Sequence, residues 1–460
     1  MHQEVISVIS MIKNAGVVGA GGGGFPTHVK VSATADTIVV NGAECEPLLR
    51  VDQQLMDIMA VEMIKGLEIV MGATGAREGI IALKSKYTKA LSALEKLISN
   101  KPIRVYILDD FYPAGDEHVT LYEAAGRLIP QGAIPLKVGC IVINVETLIN
   151  VFNAINGKPV THSYLTVTGE VATPLTVKMP IGATIKEALE LAGVRITPDL
   201  VVIDGGPMMG KIVDNIEQPV TKTTKGLIVL TEEHQLVKKR RLSPAKIIKQ
   251  TKAACIQCRY CTDLCPRYLL GHELEPHKIM RSIRNFKNLD ETMKMALICS
   301  ECGVCEQYAC IMQLSPKTIN AVLKQEFWQK GIKPNDLSKE QQINKIREHR
   351  KIPVKRLVSR LGLTKYDVYA PLIEKEVVVD KVSIKLKQHA GAPSVPIVKA
   401  GQLVQLGDMI ASVPENALGA NIHASINGEV TEITDDSIII TKTAAKKGNA
   451  AKIDKIEGSK

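Results

Sequence analysis

GAGGGGFP, residues Gly19–Pro26, is a glycine-rich segment near the N-terminus of this chain. Its first six residues lack bulky side chains, which lets backbone N–H groups approach a phosphate or a flat ring closely. The segment follows a helix-like run and precedes the first strand-like run, the reverse of the order in a Rossmann fingerprint. It therefore predicts a nucleotide-binding loop in a different fold, with a simple mobile turn as the alternative.

Around this loop the first 157 residues alternate between extended and helical patterns. The strand-like runs are Thr37–Asn41, Gly79–Lys84, Ile103–Leu108 and Val138–Asn144. The runs with apolar residues at helical spacing are Val51–Val70, Tyr87–Ile98 and Glu117–Leu128. This βαβ alternation predicts a mainly parallel sheet covered by helices.

The rest of the chain divides into modules of different character. Residues 159–231 show short strands, one helix and a turn-rich Gly205–Pro207, typical of a small α+β module. Residues 245–330 carry a cysteine-rich, partly helical segment, and residues 378–442 alternate with glycines as in an all-β unit. Residues 443–460, rich in Lys, Ala and Gly, predict a flexible tail. We expect a multidomain α/β protein whose first domain spans residues 1–158.

Eight of the ten cysteines lie between Cys255 and Cys310, which indicates a metal centre in a long chain without a secretion signal. The first run has the spacing of bacterial [4Fe-4S] ferredoxins, in which three close cysteines bind one cluster and the fourth completes its neighbour. The second run repeats this pattern with a last gap one residue longer. The predicted ligand sets are Cys255, Cys258, Cys261 and Cys310 for one cluster, and Cys299, Cys302, Cys305 and Cys265 for the other. A zinc module is the alternative.

Composition excludes several other classes of protein. Hydrophobic residues make up 45% and charged residues 23%, as in ordinary globular proteins. Aromatic residues are only 3%, which argues against nucleic-acid binding through stacked bases. No apolar run is long enough to span a membrane and no signal peptide is recognisable, so a cytoplasmic location is expected. Much of the net charge of +10 lies in Lys238–Arg241 and in the tail after Lys442, which are interpreted as solvated linker and tail, with a docking patch as the alternative.

Four motifs follow one another along the N-terminal domain and together support a specific resemblance. They are Gly19–Thr27 with Lys30 downstream, Asn41–Pro47, Tyr112–Glu117 and Asn144–Thr147. In this order they resemble the FMN- and NADH-binding subunit of respiratory complex I and its relatives in Rnf electron-transport complexes. The resemblance implies a complex I flavoprotein-like FMN domain with NADH as substrate.

By this resemblance, the glycine loop and Lys30 hold the FMN phosphate, while Asn41 and Asn144 contact the flavin. The cofactor-binding residues that it implies are Gly19, Gly21, Gly22, Gly24, Phe25, Lys30, Asn41, Glu44, Glu46, Tyr112, Gly115, Asp116, Glu117, Asn144, Glu146 and Thr147.

On the substrate side, the resemblance places Phe25, Glu46 and Glu117 toward the NADH site. A nicotinamide delivers two electrons together as hydride, whereas an iron-sulfur cluster accepts one at a time, and flavin is the usual converter between them. Hydride transfer needs no side-chain acid or base, so we assign no catalytic residue. The expected path runs from NADH to FMN, through both clusters, to an acceptor.

The order of the modules narrows the family. Thr161–Val213 resembles the soluble-ligand-binding (SLBB) β-grasp domain, and Lys381–Lys442 resembles a lipoyl-type barrel-sandwich hybrid with His423–Gly428 where a modified lysine would stand. In Rnf subunits the barrel-sandwich precedes the flavin domain, whereas here it follows the clusters. This arrangement is similar to that of the cobalamin reductases of propanediol-utilisation microcompartments. The resemblance implies cobalamin as acceptor, a cobalamin adenosyltransferase and shell proteins as partners, and a location inside a bacterial microcompartment.

Three other functions are compatible with the same modules. The chain could be an Rnf-type subunit that exchanges electrons with ferredoxin, or a soluble donor to another reductase. It could also be a non-enzymatic electron wire or scaffold whose glycine loop binds no flavin.

Overall fold

A four-stranded parallel sheet forms the centre of the N-terminal domain. The computed structural model describes residues 2–283, 289–334 and 341–443. The strands of this domain are β1 (Thr37–Gly42), β2 (Glu78–Lys84), β3 (Ile103–Leu108), the short β4 (Phe111–Tyr112) and β5 (Cys140–Asn144). Four of them pair in parallel in the order β3-β2-β1-β5. The predicted parallel sheet is confirmed.

Helices cover both faces of this sheet. They are α1 (His2–Asn14), α2 (Thr27–Val31), α3 (Asp52–Ile58), α4 (Ala60–Thr74), α5 (Thr88–Ile98), α6 (Glu117–Ala125) and α7 (Val145–Ile155). The single helix predicted over Val51–Val70 is wrong in one respect, because the backbone of Met59 leaves the helical region (φ −117°, ψ 33°) and separates α3 from α4. Gly126, in the left-handed conformation, ends α6 earlier than its apolar pattern indicates.

The second module is a five-stranded mixed sheet with one helix. Its elements are β6 (His162–Gly169), β7 (Leu175–Pro180), α8 (Ile185–Leu191), β8 (Leu200–Asp204), β9 (Lys211–Ile212) and β10 (Gly226–Thr231). The strand order is β7-β6-β10-β8-β9, with only β6 and β10 parallel. This is the β-grasp arrangement that the sequence resemblance implies.

A helical module carries the cysteine runs. Its helices are α9 (Gln235–Arg240), α10 (Pro244–Ala254), α11 (Tyr260–Asp263), α12 (Pro266–Leu269), α13 (Pro276–Ser282), α14 (Glu291–Lys294) and α15 (Pro316–Gln329). The chain then returns to the first domain, where β11 (Ile352–Pro353) pairs antiparallel with β4 before α16 (Val354–Arg360). No pattern in the sequence predicted this return.

Two small antiparallel sheets form the C-terminal module. Its strands are β12 (Lys381–Lys385), β13 (Val395–Pro396), β14 (Leu403–Val404), β15 (Met409–Ser412), β16 (Ile422–His423), β17 (Gly428–Ile433) and β18 (Ser437–Thr441). They are ordered β12-β18-β17-β14 and β13-β15-β16. The predicted all-β unit is therefore present, whereas residues 444–460 of the predicted tail lie outside the described residues.

The modules share buried surface rather than standing apart. Ile38 of β1, Val167 of β6 and Ile384 of β12 belong to one continuous apolar core. Among the described residues, no helix is both long and apolar enough to cross a membrane.

Candidate functional site

The glycine segment forms one wall of a cavity of about 520 Å³, hereafter the first cavity. Gly22 and Gly24 have φ angles of +98° and +60°, which a residue with a side chain adopts only under strain. From behind, the Ala20 N–H donates to Thr147 Oγ1 at 2.9 Å. A Cβ atom built on Gly22 or Gly23 would meet no atom of the described residues within 4 Å. The loop therefore presents bare backbone to open space.

Lys30 of α2 supplies a cation to the first cavity. Its Nζ donates to the Val142 carbonyl at 3.0 Å and lies 3.5 Å from Glu117 Oε1, and the Phe25 ring centroid is 6.0 Å away. An ammonium has three donors, so these two contacts leave one for an anionic ligand. Phe25 and Glu117, which the resemblance places toward the NADH site, thus lie in one cavity with Lys30, which it places at the FMN phosphate.

Two asparagines end adjacent strands at the edge of the sheet where ligands bind. The strand order reverses at β1, so the crevice lies at the carboxyl ends of β1 and β5. Asn41 Nδ2 donates to the Gly115 carbonyl at 2.8 Å, and Asn144 Oδ1 caps α7 by accepting the Glu146 N–H at 3.0 Å. The fold itself thus brings the two predicted flavin-contacting asparagines together.

A second cavity of about 270 Å³ continues from the first. The residues that line both cavities are Gly21, Asn41, Gly115 and Asn144. The carboxylates that line the second are Glu44, Glu46, Asp52 and Asp116. Burial, together with the nearby carboxylate of Glu44, raises the pKa of Asp52, whose Oδ2 accepts a hydrogen bond from Asn144 Nδ2 at 2.8 Å. The sequence reasoning missed Asp52 because it stands in an ordinary helical run.

Glu46 is anchored to the β-grasp module. Its two carboxylate oxygens accept the backbone N–H groups of Met208 and Met209 at 2.9 Å each, and burial raises its pKa to about 7. A Cβ on Gly206 would lie 2.0 Å from Glu46 Oε2, which explains why the turn there needs glycine. The structure places Glu46 in the second cavity, and Phe25 and Glu117 in the first.

Two other expected residues mainly support the frame. Glu44, in a left-handed conformation (φ +40°), accepts the Asp52 N–H at 2.9 Å and so holds the start of α3. Glu146 is buried and paired with Lys225, and it lines neither cavity. Lys225, which lines the second cavity, has no motif of its own in the sequence reasoning.

The N-terminal domain and the helical module meet at the second cavity. Tyr112 Oη donates to the Cys302 carbonyl at 2.7 Å, and Cys302 itself lines the second cavity. Asp116, the N-cap of α6, pairs with Arg267 at 2.5 Å. Although burial alone would raise the pKa of Asp116, the adjacent guanidinium holds it below its usual value. Arg267 could not be predicted, because its partner is 151 positions away.

The eight clustered cysteines surround two separate spaces. The space next to the second cavity, hereafter the proximal space, is lined by Cys265, Cys299, Cys302 and Cys305. The other, the distal space, is lined by Cys255, Cys258, Cys261 and Cys310. The structure thus groups the cysteines in the two predicted sets.

The two cysteine loops have the same backbone shape. Gln257 and Arg259 have φ angles of +57° and +71°, and the corresponding Glu301 and Gly303 have +57° and +78°. Such left-handed residues turn successive N–H groups inward, which suits an anionic cluster. Asn320 Nδ2 also lies 3.4 Å from Cys299 Sγ, a contact of the kind that tunes cluster potentials.

A π-helical turn accommodates the longer spacing of the second run. Val304–Ala309, which contains Cys305, forms this turn directly before Cys310, whereas α11, which contains Cys261, is an ordinary helical turn before Cys265. A π turn holds one more residue than an α turn. The departure from the usual ferredoxin spacing therefore has a local structural reason.

Domain families match the chain along its length. They are the Nuo51 FMN-binding domain over residues 12–153, the SLBB domain over 164–211, the 4Fe-4S dicluster domain over 254–315 and the RnfC barrel sandwich hybrid domain over 365–450. The multidomain fold expected from the sequence is confirmed. So is the presence of an FMN-binding domain and a [4Fe-4S] dicluster domain.

Two relatives match almost the whole chain. It is 46% identical over 440 residues to the cobalamin reductase PduS of Citrobacter freundii, covering 94% of this chain and 95% of that one. The chain belongs to the PduS cobalamin reductase family. The Salmonella typhimurium member of the family matches equally, with 46% identity over the same shares. A component of the Na⁺-translocating ferredoxin:NAD⁺ oxidoreductase complex of Acetobacterium woodii is 37% identical, but over only 57% of this chain and 58% of its own.

Among solved structures, two states of an NAD⁺-reducing [NiFe]-hydrogenase resemble the chain. Sequence identity is 20% in both, with TM-scores of 0.47 and 0.46 over 73% and 79% of this chain. The alignments span 64% and 66% of the hydrogenase chains, less than two thirds of their length.

Proposed function

We propose that this chain is an NADH-dependent cobalamin reductase that binds FMN in the first cavity and two [4Fe-4S] clusters in the helical module. The observation that carries the proposal is the position of Cys302. This residue lines both the second cavity, which continues from the first, and the proximal space. The segment that contains Cys302 thus lies between the second cavity and the proximal space, as an electron relay requires.

The first cavity suits FMN by the chemistry of its walls. The bare backbone of the glycine segment and the free donor of Lys30 suit a phosphate, and Asn41 and Asn144 suit the polar edge of a flavin ring. When bound, FMN converts the hydride of NADH into single electrons that the clusters can carry. The chain's own residues bind and orient, and no side chain has to move a proton.

The ligand sets of the clusters follow the two cysteine groups. We assign Cys265 to the proximal cluster, with the run that begins at Cys299, and Cys310 to the distal cluster, with the run that begins at Cys255. The support is that each space is lined by three cysteines of one run and the last cysteine of the other.

The reaction balances with cobalamin as the acceptor. One NADH supplies two electrons, so it reduces two molecules of cob(III)alamin to cob(II)alamin and yields NAD⁺ and one proton. The relatives named cobalamin reductase support this acceptor, whereas the Rnf alternative rests on a match to little more than half of the chain.

The cellular setting is part of the proposal. We place the chain inside a bacterial microcompartment, near shell proteins and a cobalamin adenosyltransferase that uses the reduced corrinoid. The support is the kinship with PduS proteins and the module order. Co-purification of the tagged chain with intact microcompartments would be expected, and its recovery solely outside them would contradict this placement.

Parallel acceptor assays test the function. Anaerobically purified protein containing FMN and iron is given NADH with aquacob(III)alamin, with ferredoxin or with benzyl viologen. We expect cobalamin reduction that depends on bound FMN. Dye reduction without cobalamin turnover, even with the adenosyltransferase present, would assign another acceptor, and absence of flavin would favour the scaffold alternative.

A further inference from the structure

A third cavity, of about 610 Å³, lies on the helical module and shares no lining residue with the first or second cavity. It is an open depression bordered by α11, by the π-helical turn Val304–Ala309, by Arg350 and by the C-terminal half of α16. Its volume falls within the range typical of small-molecule sites, about 300–1,000 Å³. We call it the arginine cavity.

Positive charge dominates its lining. Arg350, Arg356 and Arg360 line it, all three are exposed, and none is paired with a carboxylate among the described residues. Asp263, which also lines the cavity, is paired with Arg259 at 3.1 Å. Unpaired guanidinium groups around a small cavity are suited to a phosphate, which they can bind in a forked geometry.

Flat and apolar surfaces complete the lining. Tyr260 is 49% exposed, and Tyr308 and Leu264 lie in the same wall. Aromatic rings with adjacent guanidinium planes suit a large planar ligand that carries an anion at one side.

The arginine cavity adjoins the distal cysteine set. Its lining residues Tyr260 and Ala309 directly precede Cys261 and Cys310 of the distal set, so the Cα atoms are about 3.8 Å apart. One further lining residue, Leu264, directly precedes Cys265 of the proximal set. Because Cys302 places the proximal set at the nucleotide side, the distal set is the one from which electrons leave. The arginine cavity borders two of the four cysteines of that set and one of the proximal set.

We propose that the arginine cavity binds the corrinoid for reduction, with the arginines around the phosphodiester of its nucleotide loop and the tyrosines along one edge of the macrocycle. This inference rests on the proposed function and adds the place of the acceptor. In the step itself, aquacob(III)alamin would accept one electron and become cob(II)alamin as its axial water leaves, while Cys255, Cys258, Cys261 and Cys310 would hold the cluster that supplies the electron. NADH is the source of the electron.

Binding of two corrinoids to matched variants tests the proposal. Arg356→Gln removes one cavity charge, and Lys355→Gln removes an exposed charge next to it on α16 that does not line the cavity. Equilibrium dialysis is done with aquacob(III)alamin and with cobinamide, which lacks the phosphodiester. Because charge-assisted hydrogen bonds are strong, we expect Arg356→Gln to weaken cobalamin binding about tenfold. Cobinamide binding should not change, and Lys355→Gln should affect neither corrinoid.

The outcomes separate the cavity from the function. Flavin content, iron content and NADH-dependent reduction of benzyl viologen should stay at wild-type levels in both variants. Unchanged cobalamin affinity in Arg356→Gln, or equal weakening for cobalamin and cobinamide, would overturn the cavity assignment while wild-type cobalamin reduction left the function standing. A wild-type protein that neither binds nor reduces cobalamin would overturn both.

Discussion

Cys265 is the residue on which the assignment of cluster ligands depends. It belongs in sequence to the first run, yet it lines the proximal space with cysteines of the second. We predict that Cys265→Ser damages the proximal cluster more than the distal one. Iron quantitation and EPR of the reduced protein measure this, with Cys140→Ser, a buried cysteine outside both spaces, as control. Loss confined to the distal cluster, or stoichiometric zinc in the native protein, would contradict the assignment.

Gly22 tests the nucleotide loop at the same scale. Its φ of +98° means that a bulky side chain would strain the loop, whose neighbouring residues Gly21 and Gly23 line the first cavity. We expect Gly22→Val to abolish FMN binding while iron content stays near normal. The matched control is Gly75→Val, which has a φ of +75° and open space but ends α4. Equal flavin contents in the Gly22 variant and wild type would show that the segment is only a turn.

At the scale of elements, the sequence predicted those parts that local patterns determine. The bounds of β1, β2 and β3 agree within one residue because each is a short apolar run bounded by polar or turn residues. The spacing of the cysteines likewise predicted the two groups that the structure brings together. The ligand sets themselves stay a prediction.

The elements that were missed depend on distant partners. The pairing of β4 with β11 joins Tyr112 to Ile352, and no local pattern reports such a contact. The Arg267–Asp116 pair, which joins the helical module to the first domain, is equally nonlocal. The place of Glu46 was set by a turn of another module, so a motif shared with complex I could name the residue but not its surroundings.

A buried lysine joins three modules and gives a pH prediction. Lys222 is 2% exposed, and its Nζ donates to the carbonyls of Gly16 and Asn421 at 2.7 and 2.8 Å. Burial lowers its pKa from 10.5 to about 7. Between these values the unfolded chain binds more protons than the native protein, so the contribution to stability is complete above pH 10.5 and is lost as the pH falls toward 7.

Lys222→Met removes the titrating group, so we expect the stability of this variant to lack this dependence on pH. The free energy of unfolding of wild type relative to this variant should rise with pH from about 7.5 to about 9.5, by up to about 1.4 kcal/mol per pH unit. Thermal melts at several pH values measure the trend, with the exposed Lys89→Met as control. A difference in the free energy of unfolding that is constant over this range would show that burial does not lower the pKa of Lys222.

At the scale of the whole molecule, the cavities and the two cysteine spaces adjoin one another. The first and second cavities, the proximal space, the distal space and the arginine cavity follow one another through shared or adjacent residues. The barrel-sandwich module packs against the glycine segment, since His389 Cα would lie 3.1 Å from a Cβ on Gly24. The barrel-sandwich module therefore lies beside the glycine segment, although it follows the cysteine runs in the chain.

The proposed route carries electrons from NADH to cobalamin through the distal cluster. Its most direct test is anaerobic formation of cob(II)alamin by wild type and by Cys258→Ser, at matched content of FMN and of the proximal cluster. Cys258 is the exposed member of the distal set, so the change should remove that cluster with little effect on the rest of the fold. We predict two cob(II)alamin per NADH in wild type and a rate near the buffer background in the variant. A variant that reduces cobalamin as fast as wild type would contradict the proposed route.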